Sequence, residues 1–153
     1  MPPAERRCRV HSKFKRRFSL AHPHTPSSGS VSVLIVDDSA DTRDMYEYAL
    51  AYVGYRVLQA DNGADGFSCA AEALPDVIVT DLSIPRIDGF ELVARVQRDP
   101  RTQRIPVIVL SGCAEADTAQ RAIAAGAAAF LLKPCSPEFL IAAVSRAACP
   151  SRV

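Results

Sequence analysis

Val31-Ser32-Val33-Leu34-Ile35-Val36, followed at once by Asp37-Asp38, decides the fold. A continuous β-branched-rich apolar run of this length reads as a strand covered on both faces, the central strand of a parallel sheet. A second run, Val77 to Thr80, ends in Asp81, and a third, Phe130 to Leu132, ends in Lys133. In an open parallel sheet the strand C-termini face the crevice where ligands bind, so these groups can converge although far apart in sequence. Three acids, one cation and room for a divalent metal point to a site that handles phosphoryl groups.

The 153 residues, 48% hydrophobic, can build one well-buried core but hardly two. We therefore expect a basic, disordered tail over residues 1–30, one domain over 31–149 and a short end at 150–153. The net charge of +1 hides an asymmetry: residues 1–30 carry seven Lys/Arg and one acid, the remainder 11 Lys/Arg and 16 acids, or +6 against −5. An acidic folded part argues against nucleic acid binding by the core and suits a site that concentrates a cation. The five cysteines form no Cys-x-x-Cys pair, which argues against a disulfide framework or zinc site. No window approaches the ~18 consecutive apolar residues of a membrane span, and no secretory apolar segment opens the chain. Cytoplasmic residence with reduced thiols is the expectation.

The tail holds Arg6, Arg7, Arg9, Lys13, Lys15, Arg16 and Arg17 before a Pro/Ser/Gly stretch, His22 to Ser30. It reads as a solvated extension; an arm for nucleic acid or an anionic membrane is the sharper alternative, with only Phe14 and Phe18 as interleaved aromatics.

Strands and helices then alternate. Ser39 or Asp41 caps a helix whose Met45, Ala49, Leu50 and Val53 share a face, and Gly54 stops it. Tyr55 to Ala60 is a strand, Ala64 to Leu74 a helix, and Asp76 to Thr80 a strand. Phe90, Val93 and Val96 mark a helix that Asp99-Pro100 terminates. Ile105 to Leu110 is the fourth strand, Asp117 to Ala125 a helix ended by Gly126, and Ala129 to Leu132 the fifth strand. Ser136-Pro137-Glu138 opens a last helix with Phe139, Leu140, Ala143, Val144 and Ala147 on one face. Five βα units with right-handed crossovers give a doubly wound, flavodoxin-like α/β sheet of order 2-1-3-4-5 with five helices. That order sets the first and third strands side by side, which makes Asp38 and Asp81 neighbours.

Carboxylates suit a hard cation, and Mg²⁺ in particular, because it keeps waters and accepts phosphate oxygens. Crowding three acids raises the proton affinity of at least one unless Mg²⁺ or Lys133 compensates. Asp81, alone on its strand, is the candidate nucleophile, since carboxylates form acyl phosphates. Ser111, at the end of the fourth strand, can donate to a phosphoryl oxygen.

These residues form four blocks in order: Val33-Leu34-Ile35-Val36-Asp37-Asp38; Asp81-Leu82-Ser83-Ile84-Pro85 with Asp88-Gly89; Ile105-Pro106-Val107-Ile108 leading to Ser111; and Gly126-Ala127 leading to Phe130 and Lys133-Pro134. Over roughly residues 31–149 the chain resembles the receiver domain of bacterial two-component response regulators. The resemblance implies that Asp81 is the phosphoacceptor, that Asp38 ligates Mg²⁺ directly and Asp37 through water, and that Ser83 contributes its backbone carbonyl. It implies that Ser111 and Phe130 are the switch pair, that Lys133 pairs with the phosphoryl group, and that the bond to Pro134 is cis. The partners it implies are a sensor histidine kinase or phosphotransfer protein, and a homodimer partner or effector on the face of the fourth helix, fifth strand and fifth helix. No membrane partner is implied. Such a domain is a signalling module rather than an enzyme with a separate substrate, although it assists its own phosphorylation and dephosphorylation.

Departures from the family pattern are Ser83 and Cys113, at positions that tune phosphoryl lifetime, and Ala127-Ala128-Ala129, which makes the docking face unusually apolar. Asp88-Gly89 reads as a turn and helix start only. Competing readings are a degenerate receiver that binds partners without phosphorylation, and an Asp-nucleophile phosphohydrolase. The second lacks the usual Asp-x-Asp pair, because position 83 is Ser.

Overall fold

Strand β1, Ser32–Val36, is an interior strand of a five-stranded parallel sheet, second from one edge rather than central as expected, and its two-sided apolar pattern suits an interior place. The computed structural model describes residues 30–149; the expected disordered tail lies, but for Ser30, outside the described residues, as does the end at 150–153. The elements are β1, α1 (Ala40–Tyr52), β2 (Arg56–Ala60), α2 (Gly63–Ala73), β3 (Val77–Asp81), α3 (Gly89–Arg98), β4 (Val107–Ser111), α4 (Ala116–Ala125), β5 (Ala129–Leu132) and α5 (Pro137–Ala148). The sheet order is β2-β1-β3-β4-β5, the doubly wound arrangement anticipated from the alternation of strands and helices. Registers Val36↔Thr80 and Ser111↔Leu132 bring Asp37, Asp81, Ser111 and Lys133 to one edge of the sheet.

Side chains alternate across the pleat and build two cores. Leu34, Val36, Ile78, Val107 and Val109 pack toward α2, α3 and α4, with Leu92, Val93, Val96 and Ala122 opposite them. Val33, Ile35, Val77, Val79, Ile108 and Leu110 face α1 and α5, against Tyr46, Leu50, Leu140 and Val144.

Strand ends differ from the sequence reading by one or two residues. Ile105 and Pro106 precede β4 because proline has no N–H to donate, yet the Pro106 carbonyl still accepts from Ile78 at 3.0 Å. Helix α1 is rotated from its expected face: Tyr46 and Leu50 are buried, whereas Met45 and Val53 are each 46% exposed. Tyr46 can enter the core because its hydroxyl donates to the Cys135 carbonyl at 3.1 Å, which ties α1 to the β5–α5 loop. In α5, Leu140 and Val144 are core, but Phe139, expected on the same face, is 71% exposed at the first turn.

Caps are local. Ser39 accepts from the Thr42 amide and begins α1, Ser136 with Pro137 begins α5, and Gly126, at φ +114°, closes α4 in a conformation that an L side chain rarely adopts. Cys113, Cys135 and Cys149 are free, but Cys69 on α2 is disulfide-bonded, which corrects the expectation that all five thiols are reduced; no motif spacing marks that residue. Among the described residues, no helix is long and apolar enough to cross a membrane.

Candidate functional site

The site forms where β1 and β3 end. Asp37 is buried, Asp81 is partly buried and Asp38 is exposed, and each offers one carboxylate oxygen within 4.8 Å of the others. Asp37, just past β1, and Asp81, at the end of β3, stand at the same level on neighbouring strands, and Asp38 supplies the third acid from the loop. Three oxygens so close repel one another unless a cation lies among them. Lys133 is one such cation: its Nζ donates to Asp37 Oδ2 at 2.8 Å and to Asp81 Oδ2 at 2.9 Å. Burial works against the Lys133 charge, but the hydrogen bonds to Asp37 and Asp81 outweigh it and hold the amine above its ordinary lysine pKa. The donor set, all carboxylate oxygen and open on the Asp38 side, is of the kind that holds a hard divalent ion such as Mg²⁺ while leaving coordination positions to water.

The surrounding hydrogen bonds orient the acids. Asp37 Oδ1 accepts from the Ser39 amide at 2.9 Å, and Asp81 Oδ1 accepts from the Ser83 amide at 3.2 Å. Ser111, buried at the end of β4, accepts from the Cys113 amide at 3.1 Å, and the Lys133 amide donates to the Ser111 carbonyl at 2.8 Å. Phe130 is half-buried and packs on the core beneath α2, α3 and α4. The Lys133–Pro134 peptide is cis. Asp37, Asp38, Asp81 and Lys133 thus meet directly, with Ser111 one rung away in β4 and Ser83 exposed on the loop after β3. Burial raises the Tyr46 phenol and the Cys135 thiol above their ordinary values beside this edge.

Sequence reasoning missed two contributors. The Gly89 amide donates to the Leu82 carbonyl at 2.9 Å, and a Cβ on Gly89 would lie 2.5 Å from the Asp81 carbonyl oxygen and 2.7 Å from Leu82 Cα. Gly89 therefore does more than start a helix: its missing side chain lets α3 approach the backbone of Asp81. Arg43 is the second, since its guanidinium donates to the Asp37 carbonyl at 2.7 Å. The Asp88-Gly89 pair was visible as a signal; Arg43, six residues beyond Asp37 on a helix, carried none.

A doubly wound sheet with acids and a lysine gathered at the β1/β3 switch point defines a receiver-type signalling domain. The profile of the response regulator receiver domain matches residues 33–145, and the chain belongs to that family. It is 35% identical over 116 residues to an uncharacterized 14.6 kDa protein in the sodA1 3′ region of Leptolyngbya boryana, covering 76% of this chain and 88% of that one. It is 37% identical over 111 residues to the phosphate regulon transcriptional regulatory protein PhoB of Pseudomonas aeruginosa, covering 72% of this chain and 48% of that protein. The chain thus spans about half the length of PhoB. Among solved structures, chemotaxis response regulator CheY4 of Vibrio cholerae superposes with a TM-score of 0.74 at 33% identity, covering 78% of this chain and 99% of that one.

Proposed function

We propose that the domain over residues 31–149 receives a phosphoryl group on Asp81 from the phosphohistidine of a sensor kinase or phosphotransfer protein, in a Mg²⁺-dependent reaction in the cytoplasm. The observation that carries this reading is the bridge from Lys133 Nζ to both Asp37 and Asp81 beside three convergent carboxylate oxygens. An Asp81 carboxylate oxygen forms a bond to phosphorus while the phosphorus–nitrogen bond to imidazole breaks, and the imidazole nitrogen leaves with the electron pair. Lys133 then passes from the Asp81 carboxylate to a phosphoryl oxygen, for which its ammonium is a mobile point charge. Mg²⁺ bound by Asp37, Asp38, Asp81 and the Ser83 carbonyl would supply positive charge to the in-line transition state.

Ser111 donates its hydroxyl to the phosphoryl group and Phe130 follows into the space Ser111 vacates, so that the modification biases a two-state element. The output surface in this reading is the α4-β5-α5 face, where Ile123 and Leu132 are about half exposed and Phe139 is more so. A homodimer partner or effector docks there.

The test is intact mass after incubation with Mg²⁺ and acetyl phosphate, comparing the chain with Asp81→Asn and with a metal-free control. One phosphoryl adduct is expected, absent from both comparisons. If rapid-quench samples show no adduct, the phosphorylation-independent binding module becomes the reading.

A further inference from the structure

Asp38 is the exposed member of the acid cluster, and Lys133 reaches Asp37 and Asp81 but not Asp38. Its carboxylate is therefore only as well placed as the peptide that carries it. That peptide begins at the Asp37 carbonyl, and the oxygen accepts from a terminal guanidinium nitrogen of Arg43 at 2.7 Å. The Nε of Arg43 donates to Gln59 Oε1 at 3.0 Å. Gln59 lies on β2, opposite Ile35 of β1, and its amide nitrogen donates to Asp44 and Glu47 on α1. Two carboxylates on that nitrogen leave the Gln59 oxygen to face Arg43. From the other side, the Asp37 amide donates to the Ala60 carbonyl at 3.1 Å. The turn out of β1 is thus held between α1 and β2 by one planar guanidinium with two acceptors.

We propose that Arg43, oriented by Gln59, is a positioning residue that fixes the Asp37–Asp38 peptide and so sets the Asp38 carboxylate for the divalent cation. This rests on the reading of the three acids as a Mg²⁺ site. The proposal has a sign that a purely electrostatic role lacks. A guanidinium charge near the cluster repels a dication, so on charge alone its removal tightens metal binding. On the positioning role its removal weakens binding, because the Asp37 carbonyl then loses its partner and the turn keeps only the Asp37 amide bond to Ala60 and the Ser39 amide bond to the Asp37 side chain. Lysine in its place keeps the charge but cannot span both acceptors in one rigid fork.

The experiment is a titration of the full chain with Mg²⁺ alone, followed by NMR amide shifts well below the unfolding temperature, for wild type, Arg43→Ala, Arg43→Lys, Gln59→Leu and the Arg43→Ala/Gln59→Leu pair. Loss of an outer hydrogen bond to a ligating segment weakens metal binding by roughly 10-fold. That loss is expected in Arg43→Ala and Gln59→Leu, with the double variant no weaker than Arg43→Ala and with Arg43→Lys failing to restore it. If Arg43→Ala does not fold, Gln59→Leu, which changes no charge, decides the matter. Binding in the variants as tight as in wild type, or tighter, overturns the proposal while leaving the metal site intact. No Mg²⁺-dependent shift at Asp38 in the wild type overturns the metal site and this proposal together.

Discussion

Replacing Lys133 by methionine keeps the apolar stem and removes the cation that bridges Asp37 and Asp81. Asp37 has 4% of its side chain exposed and Asp81 14%, so water makes good little of what each loses. A hydrogen bond to a charged group contributes about 1.5–3 kcal/mol. Two such bonds, reduced because Lys133 itself is 25% exposed, give a loss of about 3 kcal/mol without divalent ions. For a domain of this size that corresponds to roughly 12 °C in Tm. The assay is thermal unfolding of wild type and Lys133→Met in EDTA at pH 7.5, repeated with saturating Mg²⁺. A cation bound at about 100 times its Kd stabilises by about 2.7 kcal/mol. Mg²⁺ should therefore recover most of the loss, and raise the Tm of the variant more than that of the wild type. Equal melting temperatures in EDTA would refute the claim that Lys133 offsets the repulsion among the three carboxylates.

Gly89→Ala forces a Cβ to within 2.5 Å of the Asp81 carbonyl oxygen, so it should cost about 1–3 kcal/mol in denaturant unfolding and slow adduct formation from acetyl phosphate. Arg86 holds φ +71° in the loop after β3, a conformation that L residues adopt at a cost of about 1–2 kcal/mol. Arg86→Gly should then stabilise the domain by roughly 0.5–1 kcal/mol after the added freedom of the unfolded chain is subtracted, measured as a rise in urea midpoint. Lys133 and Tyr46 both have folded pKa values above their ordinary ones, so each keeps its proton longer in the native state. Their contribution is complete below about pH 10 and falls as pH rises through the folded values. Unfolding free energy should accordingly drop above about pH 10, less steeply in Tyr46→Phe.

Much of this architecture was legible because its causes are local. Strand-length apolar runs alternate with capped helices, and the residues Asp37, Asp38, Asp81 and Lys133 stand immediately after such runs, where chain order alone assigns them to one sheet edge. Gly126 and Ser136 announced helix ends through requirements of their own backbone. Helix faces were less legible. Met45 and Tyr46 are adjacent and both apolar in bulk, and the choice of Tyr46 for the core depends on a hydrogen bond to Cys135, 89 residues away.

The sequence by itself determined the order of the elements, the doubly wound sheet and which acids meet, because strand period, caps and chain direction are properties of neighbouring residues. Only the tertiary structure decided how the acids are held: Lys133 across both Asp37 and Asp81, Gly89 against the Asp81 backbone, and Arg43 between the Asp37 carbonyl and Gln59. Each of these contacts joins elements through a distance of a few ångströms set by packing, and no local pattern encodes such a distance.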